Sequence, residues 1–314
     1  MNKYKTLRVP IPKGRDPFVN TPLISVGPGA GGEERFWIST WNSCVGCLAA
    51  LVTESGAARI YRFNKPPYGG FYSAVQEDGD TLWLCGDLSK VVRLTLSSGK
   101  FAEFPTGAPS ALVFQGMAID RATGKLFAAA FPYTTTTAFS FDYRRRKPVK
   151  VHENLCADKY MRFNFPNGDG TYSCVLHIPG ETLVRWDPAK ESVEPFPFNE
   201  RLDSEAMCGG TTYFLIPDDR GRWYFPSRGW FDPATRRFDS AGPRPRKEMT
   251  WFARSGDRAW GCDYENGNTR VGLWTLSTGE VRDICVIPDC ALHGVTLAKS
   301  GRIVAVNLYG EFFR

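Results

Sequence analysis

His177, His293, Tyr160 and Arg162 are the residues whose chemistry this sequence brings forward first. An imidazole titrates near neutral pH and serves as general acid or base. A guanidinium can hold a carboxylate through two parallel hydrogen bonds and stabilise negative charge that builds on it. A tyrosine hydroxyl can return a proton to a leaving oxygen. Together these are the needs of β-elimination beside a carboxylate: a base for the α-proton, a clamp for the enolate-like charge and an acid for the leaving group. Arg162, His177 and either Tyr160 or His293 fill those roles. Each residue also has a plain structural reading. His177 ends the run Tyr172-Ser-Cys-Val-Leu-His177 before Pro179-Gly180 and equally suits a strand-end histidine bonded to backbone. Arg162 suits an ion pair between sheets, and Tyr160 suits packing. His293 has Gly294 beside it, which permits close approach of a ligand or of backbone. The third histidine, His152, follows a basic turn and reads as structural.

A second group could bind substrate: Trp41, Asn42, Tyr72, Gln115, Tyr133, Arg228, Asp263, Tyr264 and Asn307. A concave patch rich in titratable and aromatic side chains is the default ligand site. Hydrolysis would prefer a carboxylate pair or a metal cage, and Asp87 and Asp263 are the only carboxylates in the set. Cys44-Val-Gly-Cys47 matches a redox spacing but lies between strands, away from the helix N-terminus such chemistry needs. Gly27-Pro-Gly-Ala-Gly-Gly32 is followed by neither Lys-Ser/Thr nor a helix, so it reads as a flexible lead rather than a phosphate loop. Gly-x-Ser-x-Gly is absent, which weakens a serine-hydrolase reading.

The elements that must position these residues show up as an internal repeat. A hydrophobic strand, a polar turn and a second strand recur at Leu51–Gly56, Leu94–Gly99, Phe141–Arg146, Trp186–Glu191, Phe231–Arg236 and Trp274–Gly279, at steps of 43, 47, 45, 45 and 43 residues. Each period holds a further hairpin, such as Phe71–Val75 with Thr81–Cys85, Gly116–Asp120 with Lys125–Ala129, and Val295–Ala298 with Arg302–Val306. Four short strands per period of about 45 residues is the make-up of a β-propeller blade. Six units run from about residue 32 to 290, and a seventh begins near 291 with only three strands left. The expected fold is therefore all-β, a seven-bladed β-propeller of one domain over 1–314, with the N-terminal strand 4–10 completing the last blade beside Phe312-Phe313. That closure covers strand edges otherwise left open. In such a fold the start of each innermost strand and the turn between its second and third strands reach one face, where the candidate residues above would gather.

Of the 314 residues 42% are hydrophobic and 14% aromatic, enough for a sizeable core. The net charge of +6 mildly favours an anionic ligand. No aromatic-interleaved basic stripe accompanies it, so no nucleic acid is expected. The basic run Arg144–Lys147 reads as a solvated turn. No stretch reaches the ~18 apolar residues of a membrane helix. Nine scattered cysteines suit reduced thiols and a cytoplasmic protein, though a removed export signal would leave the same pattern. The expected partner is an anionic small molecule or oligosaccharide bound by a monomer. No cofactor is expected, with a divalent metal as the open alternative.

Thr182-Leu-Val-Arg-Trp-Asp-Pro-Ala189, Trp230-Phe-Asp-Pro-Ala234, Gly116–Leu126 and His293–Ala298 resemble blade segments of the gluconolactonase and streptogramin lyase superfamily, and of propeller lyases that cleave uronic-acid-containing oligosaccharides. The resemblance runs over nearly the whole chain and is one of blade packing. It implies a carbon–oxygen lyase acting by β-elimination on a uronic-acid-containing oligosaccharide. The alternatives are a metal-dependent lactonase or glycoside hydrolase, or a non-catalytic propeller that binds a ligand or a protein.

Overall fold

The repeated strand–turn–strand run recurs because its turn chemistry recurs. At one turn position all six copies take a left-handed backbone conformation: Gly56 (φ 94°), Gly99 (71°), Arg146 (58°), Glu191 (53°), Arg236 (60°) and Gly279 (71°). Glycine does this without steric cost. Where the residue is not glycine, an aspartate opening the turn holds it. Asp142 Oδ1 accepts from Arg145 N at 2.7 Å, Asp187 Oδ1 from Ala189 N and Lys190 N at 3.0 Å each, and Asp232 Oδ1 from Ala234 N at 2.8 Å. Two glycine-type turns have another tie. Asp80 accepts from Ser97 N (2.7 Å) and Oγ (2.6 Å), and Asp257 accepts from Ser277 N (2.8 Å) and Oγ (2.6 Å). Each of these aspartates sits in the earlier hairpin of the same sheet, so one side chain fastens two turns.

A computed structural model describes residues 5–8, 18–19, 23–29, 31–41, 47–63, 71–86, 89–109, 113–131, 137–155, 160–177, 182–197, 216–225, 229–239, 241–307 and 311–314, and these contain strands and turns but no helix. Seven antiparallel sheets form, and the fold class is the expected seven-bladed β-propeller. In the first blade Phe18–Val19 and Ile24–Pro28 both pair with Glu34–Trp41, which is followed by Cys47–Thr53 and Ala58–Phe63. The second blade is Phe71–Asp78, Thr81–Gly86, Lys90–Thr95 and Phe101–Pro105. The third is Val113–Asp120, Lys125–Phe131, Ala138–Asp142 and Lys147–His152. The fourth is Tyr160–Pro166, Tyr172–His177, Thr182–Asp187 and Ser192–Pro197. The fifth has short strands at Ile216–Pro217, Trp223–Phe225, Gly229–Asp232 and Arg237–Asp239. The sixth is Thr250–Ser255, Arg258–Glu265, Asn268–Thr275 and Glu280–Ile287. The seventh is Leu292–Leu297, Ile303–Asn307, Glu311–Phe313 and the N-terminal strand Thr6–Arg8. Thr6 stands opposite Phe313 and Arg8 opposite Glu311, as the closure argument requires.

The chain groups into two compact units. Residues 11–53 with 57–201 carry the first four blades, and residues 1–10, 54–56 and 202–314 carry the other three. In the first of these the sequence reading needs a correction. The first blade starts at Phe18, well before residue 32, and the Gly27–Gly32 run is part of it. Gly27 (φ 74°) kinks the strand Ile24–Pro28, and Gly32 (φ 77°) turns the chain into Glu34–Trp41. Backbone bonds from Gly29 N to Glu33 O (2.9 Å) and Gly32 N to Gly29 O (3.0 Å) fix that turn.

The first residue of each repeated run is a packing residue: Leu51, Leu94, Phe141, Trp186, Phe231 and Trp274 are all buried. Several of them meet the second strand of the preceding blade. Trp186 stacks on Phe127 (5.0 Å, 15°), Phe141 lies 5.6 Å from Trp83, and Trp274 lies 5.1 Å from Tyr224. Large flat side chains in offset contact fill the wedge between twisted sheets with few voids.

Candidate functional site

The first strand of a blade starts with a defect, and the defect recurs. Ladder pairing slips between Phe71 and Ser73, Gln115 and Met117, Met161 and Phe163, Trp251 and Ala253, and Leu292 and Gly294. One residue is thus left out of the ladder in the second, third, fourth, sixth and seventh blades: Tyr72, Gly116, Arg162, Phe252 and His293 respectively. A β-bulge breaks the alternation of faces, adds twist and re-aims the residue that carries it, and bulges are frequent beside binding sites. Three of the five bulged residues, Tyr72, Arg162 and His293, are ones the sequence singled out as functional types.

Side chains of the neighbouring blade take up the backbone groups flanking these bulges. The buried Ser39 hydroxyl donates to the Phe71 carbonyl at 2.7 Å, and Met117 N donates to the Ser73 hydroxyl at 2.8 Å. A backbone group buried without a partner would cost free energy comparable to a lost hydrogen bond. The two serines therefore make the bulges of the second and third blades affordable in the folded state. Sequence reasoning missed both, because a lone serine in an apolar strand has no distinguishing pattern. The bulges left a faint signal, a one-residue break in the alternation at Leu292-His-Gly-Val.

At Trp41, Tyr72, Gln115, Tyr160, Arg162, His177 and His293 the structure describes the backbone. Tyr160 and His177 are direct cross-strand partners in the fourth blade, with the Arg162 bulge two residues further along. Gln115 pairs with Ala129 just before the Gly116 bulge. Trp41 ends its strand opposite Phe18. Within residues 11–201 the first strands of the second, third and fourth blades are neighbours, so Tyr72, Gln115, Tyr160 and Arg162 share adjacent strand starts. His293 opens the first strand of the seventh blade in the other unit. Asn42, Tyr133 and Arg228 lie outside the described residues, as do Asp87 and Cys44.

Three candidates have described side chains. Asp263 and Tyr264 are still in strand pairing, opposite Arg270 and Thr269, because the hairpin runs on to a turn at Asn266 (φ 53°) and Gly267 (φ 84°). Asp263 is ion-paired with Lys247 at 3.6 Å, and Tyr264 is 41% exposed. Asn307 is buried, and both ends of its amide bond to Glu311: Nδ2 donates to Oε2 (2.7 Å) and Oδ1 accepts from the backbone N (2.9 Å). The Cys290 thiol also hydrogen-bonds Asn307, and burial pushes that thiol up to about 11. Asn307 therefore ties the end of the second strand of its blade to the start of the third. Among the described residues no group of three or more His, Cys, Asp or Glu side chains stands together as metal ligands.

No family model and no curated protein matches this sequence. Solved structures match its fold at 12% identity. The extracellular domain of BT4673 from B. thetaiotaomicron, a candidate one-component system, aligns over 100% of this chain with a TM-score of 0.63, and this chain spans 42% of that one. The extracellular domain of BT3049 from the same organism, a candidate hybrid two-component system, aligns over 100% with a TM-score of 0.66, and 41% of its length is spanned. The WD40 repeats of RRP9 align over 99% of this chain and 96% of theirs, with a TM-score of 0.63. At this identity the likeness is one of architecture: the chain shares the β-propeller fold of these proteins.

Proposed function

We propose that this chain is a recognition propeller that binds an anionic small molecule or oligosaccharide at the strand starts of its second, third and fourth blades. The observation that carries this reading is the recurring bulge, which takes Tyr72 and Arg162 out of the ladder on the two strands that flank Val113–Asp120, with Gln115 on that middle strand and Tyr160 on the strand of Arg162. An arginine and two tyrosines suit a carboxylate on a sugar: the guanidinium pairs with the carboxylate and the rings stack on the sugar face. The similar folds include extracellular domains of candidate signalling systems and a WD40 protein, which supports binding as the role. The reading is tested by titrating glucuronate, galacturonate and their short oligomers against the protein by calorimetry. Arg162→Gln should weaken uronate binding about tenfold or more. Equal affinity for neutral sugars, or an unchanged affinity in Arg162→Gln, would overturn it.

One observation favours catalysis at the same place. Tyr160 and His177 stand opposite each other with Arg162 two residues further along the strand, an acid, a base and an anion clamp on one blade. That set supports β-elimination on a uronide, the chemistry implied by the resemblance to streptogramin lyases and uronide lyases. His177 would take the α-proton, Arg162 would stabilise the charge on the carboxylate, and Tyr160 would protonate the leaving oxygen. Growth of the conjugated, unsaturated product is followed by ultraviolet absorbance. Turnover that is lost in His177→Ala supports this second reading, and turnover unchanged in both His177→Ala and His293→Ala discards it.

A further inference from the structure

Between the sixth and seventh blades, wholly within residues 1–10 and 202–314, lies a cleft of about 700 Å³ that no part of the reading above uses. Its walls are apolar: half-buried Trp260, Ile284 and Ile303, with Ile287, Leu292 and Phe313 buried behind them. Its cations are Lys5, Arg302 and Arg314, and among the described residues no acidic one lines it. Two of the cations are tied to one neighbour. Arg302 Nη1 lies 3.4 Å from Glu54 Oε2, and Arg314 Nη1 donates to the Glu54 carbonyl at 2.7 Å. Lys5 is exposed and its ammonium makes no ion pair among the described residues. Cys285, a half-buried thiol, stands in the wall.

We infer that this cleft binds an unbranched amphipathic monoanion, a medium- to long-chain alkyl carboxylate, with its chain between the two blades and its carboxylate at Lys5. The volume is that of a small-molecule pocket, which is typically apolar with a few placed polar groups. The apolar surface is recessed rather than raised, so a slender chain can reach it where the flat face of a protein cannot. The excess of positive charge at its border selects a negative head group. Because the cleft and the strand starts of blades two to four share no residue, this inference stands apart from the proposed uronide site.

The test uses the whole protein and a series of octanoate, decanoate and dodecanoate, with dodecanol as the neutral control, all below their micelle-forming concentrations. Affinity should rise about fourfold for each added methylene, the factor expected for burying a CH₂. Dodecanoate should bind more tightly than dodecanol, and Lys5→Glu should weaken dodecanoate about tenfold while leaving dodecanol unchanged. Ile303→Trp should fill the cleft and abolish both, with its melting temperature checked for folding. In the unaltered protein, saturating dodecanoate should slow iodoacetamide alkylation of Cys285, read by peptide mass spectrometry. An affinity that does not change with chain length, or Cys285 alkylated at the same rate with and without dodecanoate, overturns the inference. So does protection of Cys285 by an acidic peptide when dodecanoate gives none.

Discussion

His152 is buried, with 7% of its surface exposed, and its Nε2 has no hydrogen-bond partner among the described residues. Its ring meets Phe127 edge-on at 6.2 Å. Burial, and after it the Lys150 ammonium, pushes its pKa down to about 4, while the Glu191 carboxylate pulls the other way. In the unfolded chain the same imidazole titrates near 6.5. Between those values the unfolded chain binds the proton and the folded chain does not, so stability must rise with pH there. The contribution is fully present above about pH 6.5 and is lost as pH falls toward 4. At about 1.36 kcal/mol per pH unit, the drop from 6.5 to about 4 makes it about 3 kcal/mol. Denaturant melts of the protein and of His152→Leu across pH 4 to 7 check this. The variant should have a flatter stability profile over that window, and identical slopes would refute the assignment. The sequence already gave His152 a structural role from its place after a basic turn on an outer strand. It did not show that Nε2 is left without a partner, since that depends on which residues of the next blade face it.

At the scale of the element, what was legible is what is written in short-range chemistry. The third-to-fourth-strand turns could be read because the aspartate of Asp-Pro-Ala-Lys and Asp-Pro-Ala-Thr holds its own turn, the glycine of Leu-Ser-Ser-Gly permits the same left-handed step, and the run recurs with them. The start of the first blade was missed because its first strand is in two pieces, Phe18–Val19 and Ile24–Pro28, and the second piece ends in a Gly-Pro run that looks like a loop. The bulges were only faintly legible because each is a relation between two strands. Whether Arg162 pairs or stands out depends on where Tyr172–His177 places its own register. The candidate site was accordingly legible as a list of strand starts and not as an arrangement. The bulges also make a prediction at this scale. Ser39 and Ser73 hold backbone groups next to two bulges from the blade before. Ser73→Ala leaves the Met117 amide buried without its acceptor, which costs about 1–3 kcal/mol. Hydrogen exchange should show the Met117 amide losing protection ahead of the rest of its strand. If Ser73→Ala melts like the parent and Met117 stays protected, the serine does not support the bulge.

For the whole molecule, the repeat says that each blade is a sheet finished by its own fourth strand, and the seventh blade is the exception. Its fourth strand comes from the other end of the chain. Thr6, Leu7 and Arg8 pair with Phe313, Phe312 and Glu311, and Lys5 and Arg314 exchange backbone bonds of 2.8 and 3.0 Å. A terminal segment with no such pairing could be trimmed with little effect. Here removal of residues 1–10 takes away a full strand and opens the edge of Glu311–Phe313, where Phe312 and Phe313 are buried. Alternate pairs in an antiparallel ladder exchange two bonds each, so about four backbone hydrogen bonds at about 1 kcal/mol each put the loss at a few kcal/mol. An unpaired edge also invites pairing with a second chain. The truncated protein should therefore melt several degrees lower and form dimers or larger species as concentration rises. Loss of amide protection should begin at Ile303–Asn307 and Glu311–Phe313, because these strands belong to the sheet that has lost its edge. A synthetic peptide of residues 1–10 added in excess should restore both the melting temperature and the monomer, since the missing strand needs only its backbone register to bind. A truncated chain that melts with the full one, or that the peptide cannot rescue, would mean that the seventh blade does not depend on its borrowed strand.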